Sequence, residues 1–306
     1  MKQRIIQFRD EFYNKIFVKI EKNIQKETNH EVKDFFIFLG DLKNIIISDD
    51  LKSIVSNVST KYPEDIFWNF KKKTETDFCE KILKIFDYSG FRSSKNAIWF
   101  AKQLNIKTCL FCNCQFATVI ESDNKKEKIN FQFDHFYPKS KYPYLSMSIF
   151  NLVPICPYCN QTKSNKEIEK IIENPYLNNF DNFSQFKLDN KNYIDFIINP
   201  NHQISNALQL IPKRIEDKIK LEEYENLFEI TAKHKIHEDF IQEIVWKSNV
   251  YTQDYKTQLK NLLHQLSDED FQRFILGNYS KKDEIFNRPL AKLTHDIAEE
   301  LGLLNI

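Results

Sequence analysis

FDHFYPKSKYPYLSMSIFNLVPICPYCNQTK, residues 133–163, is the stretch on which the reading of this chain turns. It ends in Cys156-x-x-Cys159, and a second pair with the same spacing, Cys109-x-x-Cys112 in CLFC, lies upstream. Two intervening residues let both sulfurs of a pair turn toward one ion, and four soft thiolates in tetrahedral array suit Zn²⁺ with no coordination position left open. The expected zinc is therefore structural. The N-terminus shows no secretory h-region, and in a reducing compartment paired cysteines of this spacing favour metal over disulfides. Cys114, one residue beyond Cys112, and Cys79 read as packed thiols.

Between the cysteine pairs, Phe131, Phe133 and Phe136 mark a short aromatic strand around Asp134-His135. Adjacent residues on a strand point to opposite faces, so the two side chains can share a site only where the strand ends. Residues 139–150 read as a long returning loop and residues 152–155 as a second strand. Pro157 suits the first turn of a helix, where its missing N–H is an unpaired donor position anyway. On that helix Asn160 and Lys163 are three apart and share a face.

Asp134-His135, Asn151-Leu152 and CxxCNxxK over residues 156–163 resemble, in order and spacing, the HNH nuclease superfamily in its four-cysteine zinc form. The resemblance spans roughly residues 107–174. It implies a ββα-metal core in which His135 is the general base that activates water, and Asp134 and Asn160 are ligands of a catalytic divalent ion. Asn151 corresponds to the central Asn that holds the loop so that His135 points correctly. The chain carries Asn160 where the eponymous motif ends in His, an HNN variant that still offers a ligand, but an oxygen one. Phosphodiester hydrolysis needs a deprotonated water in line with the leaving oxygen, and a neutral imidazole with a pKa near working pH meets that need. It also needs positive charge at the phosphate, which a hard ion supplies; Asp and amide oxygens suit Mg²⁺ or Mn²⁺ better than a second zinc. Lys163 and Lys139 are the expected nucleic-acid contacts, Lys163 either neutralising a phosphate or lying in solvent.

The fold class expected is α+β and mainly helical, a zinc-stabilised nuclease core (107–175) between an N-terminal helical region (1–106) and a C-terminal part with a small hairpin followed by helices (176–306). Ile5, Phe8, Phe12, Ile16 and Ile20 recur at three or four and predict a first helix with one buried stripe. Further helices are expected over residues 32–47, 63–73, 75–86 and 95–104, a turn at 125–128, and a hairpin over 180–200 around Asp189-Asn190. From residue 207 on the periodicity is helical throughout. His234 and His237, three apart, read as exposed side chains on a charged helix. Leu293, Ile297 and Leu301 form a stripe that serves either the core or a docking surface.

Net charge is +1, so the whole chain is no polycation. Residues 101–170 hold ten Lys against six Asp and Glu, a modest excess of the sign phosphate contacts need. The runs Lys71 to Lys73 and Lys125 to Lys128 are candidate phosphate contacts or solvated faces. No apolar run approaches the roughly 18 residues of a membrane span, and a cytoplasmic location is expected. The flanking pattern, Asn174-Pro175-Tyr176 and then a hairpin and a helical tail, resembles the PtuB-type HNH effectors of Septu and retron anti-phage systems. That resemblance implies an ABC-like ATPase partner; DNA is the substrate expected of the nuclease. The alternative function is a catalytically silent zinc module that binds nucleic acid or a protein through the same fold.

Overall fold

The computed structural model describes residues 1–69, 74–75, 77–124, 126–164, 166–199 and 201–304. Lys71 to Lys73 and Lys125 lie outside the described residues. The chain is a mainly helical α+β protein whose strands form short antiparallel pairs. It packs as two compact units, each discontinuous in sequence: Met1–Asn105 with Thr118–Asn178, and Ile106–Ala117 with Asn179–Ile306. Three consecutive regions divided at 106 and 175 do not coincide with this packing. The reason is visible at residues 106–117, whose polar groups are satisfied from the C-terminal part: Lys107 N–H donates to the Phe286 carbonyl (3.0 Å), Asn113 Nδ2 to the Ile285 carbonyl (2.7 Å) and Tyr224 Oη to the Phe111 carbonyl (2.6 Å).

The first unit begins with α1 (Lys2–Lys26), α2 (His30–Leu39), α3 (Leu42–Ile47) and α4 (Leu51–Ser59), then a two-residue strand pair, β1 (Trp68–Asn69) and β2 (Thr74–Glu75). It continues through α5 (Asp77–Phe86), α6 (Tyr88–Arg92), α7 (Lys95–Leu104), β3 (Val119–Glu121), β4 (Glu127–Ile129), β5 (Gln132–His135), β6 (Leu152–Ile155) and α8 (Pro157–Lys163). The stripe of α1 is buried as its periodicity requires. The helix expected over 32–47 is broken at Gly40, whose φ of +65° ends α2, and Asp41 caps α3. The helix expected over 63–73 is not formed: Glu64–Ile66 makes one 3₁₀ turn and the chain then enters β1.

Rings connect the helices to the core strand. Phe12 of α1 meets Phe100 of α7 at 5.0 Å between centroids, and Phe100 meets Phe133 of β5 at 5.0 Å. Each buried ring contributes about 1.5–3 kcal/mol relative to exposure, so the helices form the bed on which β5 lies. Tyr88 of α6 fixes the register by donating its hydroxyl to the Phe133 carbonyl (2.8 Å). β5 pairs antiparallel with β6, Gln132 opposite Ile155 and His135 opposite Leu152. The returning loop is anchored on α3 by Ile149 N–H to the Ile46 carbonyl (2.8 Å). Asn174 and Tyr176 close the core, donating to the Phe150 and Leu152 carbonyls (2.6 Å each).

The second unit holds β7 (Ser184–Leu188), α9 (Asn190–Ile198), β8 (Leu208–Pro212), α10 (Lys218–Phe228), α11 (Ile230–Lys235), α12 (Glu238–Val250), α13 (Gln253–Leu262), α14 (Asp268–Leu276) and α15 (Ala291–Glu300). The hairpin expected within 180–200 is corrected: Asp189 caps α9 by accepting from Asn192 N–H (3.0 Å), and β7 pairs instead with β8 beyond that helix. Tyr193 and Phe196, spaced by three, carried the helical signal. The same pairing corrects the wholly helical reading from 207. The free edge of β7 is covered by α15: Asp296 accepts from Phe186 N–H and Glu300 from Leu188 N–H (2.9 Å each). Leu293 and Ile297 are core residues. His234 is fully buried against Phe186, with Nδ1 donating to the Ile230 carbonyl (2.8 Å), so it is not the exposed histidine its charged neighbours suggested.

Candidate active site and metal centre

β5 ends at His135, and that ending brings Asp134 and His135 to one cavity of about 620 Å³. Gln132, Lys139, Asn160 and Lys163 line the same cavity, with Tyr88 and Arg92 contributed by α6. The residues singled out from the motif thus converge, with one exception in place: Asn151 lies behind the cavity. Its side chain accepts from Tyr137 N–H (2.7 Å) and donates to the Tyr137 and Leu145 carbonyls (3.1 and 3.0 Å). This staple sets the path of the loop on both sides of the turn at Pro143–Leu145. The next carbonyl, that of Ser146, accepts from His135 Nε2 (3.0 Å).

That last bond defines the imidazole. A carbonyl only accepts, so Nε2 carries the proton and Nδ1 the lone pair in the neutral ring. The ring also packs edge-on against Tyr88, centroids 4.4 Å apart. His135 is 7% exposed, and burial pushes its pKa down to about 3, the neighbouring Lys139 and Lys163 charges acting in the same direction. The imidazole is neutral at physiological pH, but its pKa lies far below the working range expected from the sequence. A phosphate anion brought beside the ring opposes burial and favours the imidazolium.

Lys163 departs from both sequence expectations. It is 1% exposed, neither in solvent nor at the surface for a phosphate. Its Nζ donates to the His135 carbonyl (2.9 Å) and to Asp134 Oδ1 (3.3 Å) and lies 3.0 Å from Oδ2. The approach to Oδ2 is a charge contact without aligned geometry, so that buried oxygen accepts no hydrogen bond. Burial raises the Asp134 carboxyl above its ordinary range against the pull of the Lys163 ammonium. Lys139 is half-buried and sits over the Tyr88 ring, Nζ 5.6 Å from its centroid. Asn160 donates Nδ2 to Gln132 Oε1, which leaves Asn160 Oδ1 as a free acceptor.

The donors present fit a hard divalent ion: a carboxylate oxygen without a hydrogen bond, with an amide oxygen from α8 lining the same cavity. Gln132, Tyr88 and Arg92 were not singled out from the sequence. Strand alternation puts Gln132 on the side of Asp134, so its signal was present. Tyr88 and Arg92 arrive only through tertiary packing.

Cys109, Cys112, Cys156 and Cys159 are all buried and unbridged, and they are the set of thiols that could hold a metal ion. Four soft thiols in two Cys-x-x-Cys pairs are the donor set that suits a structural Zn²⁺. Each pair also places an amide on a sulfur at 3.5 Å, Cys114 N–H on Cys112 and Cys159 N–H on Cys156, the arrangement that supports thiolate charge. Cys114 itself packs its sulfur 3.4 Å from His234.

Residues 121–166 match the family profile of HNH endonucleases. No curated protein and no solved structure matches the chain. The matched stretch runs from β3 to just past α8, and over it the chain is similar to HNH endonucleases in the strand–loop–strand–helix that carries Asp134, His135, Asn151 and Asn160.

Proposed function

We propose that the first unit is a metal-dependent nuclease that hydrolyses phosphodiester bonds, with DNA as the substrate. The observation that carries this reading is the His135 imidazole, held neutral with Nε2–H on the Ser146 carbonyl, in the same cavity as Asp134 and Asn160. His135 Nδ1 takes the proton of the attacking water. Asn151 acts on that step indirectly, as a positioning residue for the loop that bears the Ser146 carbonyl. Asp134 and Asn160 hold Mg²⁺ or Mn²⁺, which when bound polarises the scissile phosphate and stabilises the leaving oxygen. The rim lysine Lys139 and Arg92 meet the phosphate backbone. Lys163, buried under Asp134, orients that carboxylate and is not itself a nucleic-acid contact. The four-cysteine zinc is structural.

The near-neutral net charge and modest local lysine excess support weak intrinsic affinity for nucleic acid, and with it delivery by a partner. An ABC-like ATPase partner, a cytoplasmic setting and a role in anti-phage defence complete the reading; among the described residues no helix is long and apolar enough to cross a membrane.

The Lys163–Asp134 pair favours a second reading, since it neutralises the carboxylate without an ion. On that reading the chain is a silent zinc module that binds nucleic acid or protein. Incubation of the purified protein with plasmid DNA and with RNA, in Mg²⁺, Mn²⁺ or chelator, separates the two. Cleavage of DNA that chelator abolishes is expected; binding without cleavage in either metal would establish the silent module.

A further inference from the structure

A second cavity, of about 330 Å³, adjoins the candidate active site within the first unit, and Arg92 and Phe133 line both. We propose that it is a subsite for a neighbouring nucleotide of the strand being cleaved, so that the substrate is a polynucleotide held on at least two of its phosphates. The proposal rests on the nuclease reading for the identity of the first cavity and extends it to the chain on one side of the scissile bond.

Three features point to a nucleotide. The first is shared charge. Arg92 closes α6, is exposed, and among the described residues pairs with no carboxylate. A guanidinium between two cavities presents its planar fork to a phosphate in either one. The second is an additional cation at the far side. Lys128, the middle residue of β4, is exposed and lines only the second cavity. The carboxylate next to it in sequence, Glu127, is already engaged by Lys102, so it does not neutralise the Lys128 ammonium. The third is the wall. Ile98, Ile129 and Phe131 give the second cavity an apolar side, while the Ser93 and Ser94 residues add a polar one. A lone phosphate has no use for an apolar wall; a sugar and base do, and single-strand sites pair basic grooves with aromatic surface in this manner. The cavity volume is in the range of small-ligand pockets.

The test measures binding of labelled oligonucleotides of increasing length, beginning with a dinucleotide, to the His135→Ala protein, so that cleavage does not intrude. Lys128→Ala and Arg92→Ala are added singly, with Lys26→Ala, exposed on α1 and lining neither cavity, as control. Lys128→Ala should weaken binding of the longer oligonucleotides several-fold and lower the slope of log affinity against log salt by about one. The dinucleotide should bind it as it binds the parent, and Lys26→Ala should match the parent at every length. Equal affinity and salt slope for Lys128→Ala and the parent at every length would overturn the subsite, as would failure of the parent to bind any oligonucleotide. Cleavage by the protein with His135 intact is scored separately: a Lys128 effect without any cleavage keeps the subsite and removes the nuclease reading, and cleavage without a Lys128 effect does the reverse.

Discussion

Replacing Lys163 by Met keeps the length of the side chain and deletes the ammonium that Asp134 faces. In the native protein Nζ contacts both Asp134 oxygens, at 3.0 and 3.3 Å, and donates to the His135 carbonyl at 2.9 Å, all with the lysine 1% exposed. Removal leaves a buried carboxylate with no counter-charge and an orphaned carbonyl. Breaking a buried pair from one side costs about 3–5 kcal/mol, most of it the penalty of the charge left behind. At an m-value of about 3 kcal/mol/M the urea midpoint of the first unit should fall by roughly 1–2 M. Asp134→Asn in the same protein removes the stranded charge, so the double variant should recover more than half of the loss. Millimolar Mg²⁺ should restore stability to Lys163→Met, because an ion that binds only the native state stabilises it by mass action, and should leave the double variant unchanged. Urea titrations of the four proteins with and without Mg²⁺ check this. A Lys163→Met midpoint indistinguishable from wild type, or single-variant losses that simply add in the double variant, would show that Lys163 does not hold the Asp134 charge.

Cys156→Ser should lower zinc content and destabilise the nuclease core, because a structural zinc contributes folding free energy outright; elemental analysis finding no zinc in wild-type protein purified without chelator would contradict it. Asn160→Ala should need about tenfold or more Mg²⁺ for half-maximal cleavage, whereas Asn160→Asp should retain ion binding; metal titrations identical to wild type for both would remove Asn160 as a ligand. Glu169 carries a pH prediction: both carboxyl oxygens are buried without a hydrogen-bond partner, and burial raises its pKa from 4.5 to about 7. The folded state holds the extra proton between those values, so this contribution is present below pH 4.5 and is lost as pH rises through about 7. Glu169→Gln should therefore gain on wild type by up to about 3 kcal/mol between pH 4.5 and pH 8; stability curves that run parallel across that window would contradict it.

What the sequence made legible follows from where the information lies. The cysteine spacing, the strand ending at Asp134-His135 and the helix begun by Pro157 are local statements, set by one or two residues each, and the structure contains all three. Lys163 was misread because its surroundings are not local. Spacing puts it on the face of Asn160, but only the pairing of β5 with β6 places Asp134 beneath it. The hairpin placed within 180–200 failed for a related reason: Ser184 to Leu188 is a strand, but its partner begins at Leu208, beyond a helix that Asp189 caps. The motif leads one to expect His135 with a pKa near working pH; Tyr88, contributed by a helix more than forty residues away, packs against its ring, and burial lowers that pKa. Non-local contacts of this kind leave no periodic trace.

Activation of the attacking water by His135 is tested by the single-turnover cleavage rate of His135→Ala on labelled DNA, with zinc content and far-UV circular dichroism verifying that the protein is folded. Truncation orphans the Ser146 carbonyl and empties the space against Tyr88, so some stability is lost, and the rate is read well below the unfolding transition. The rate should be lower by about 10²–10⁴-fold, the usual worth of general-base catalysis, with partial recovery when free imidazole is added to occupy the vacated space. A folded His135→Ala protein that cleaves at the wild-type rate, with contaminating nuclease excluded, would contradict it.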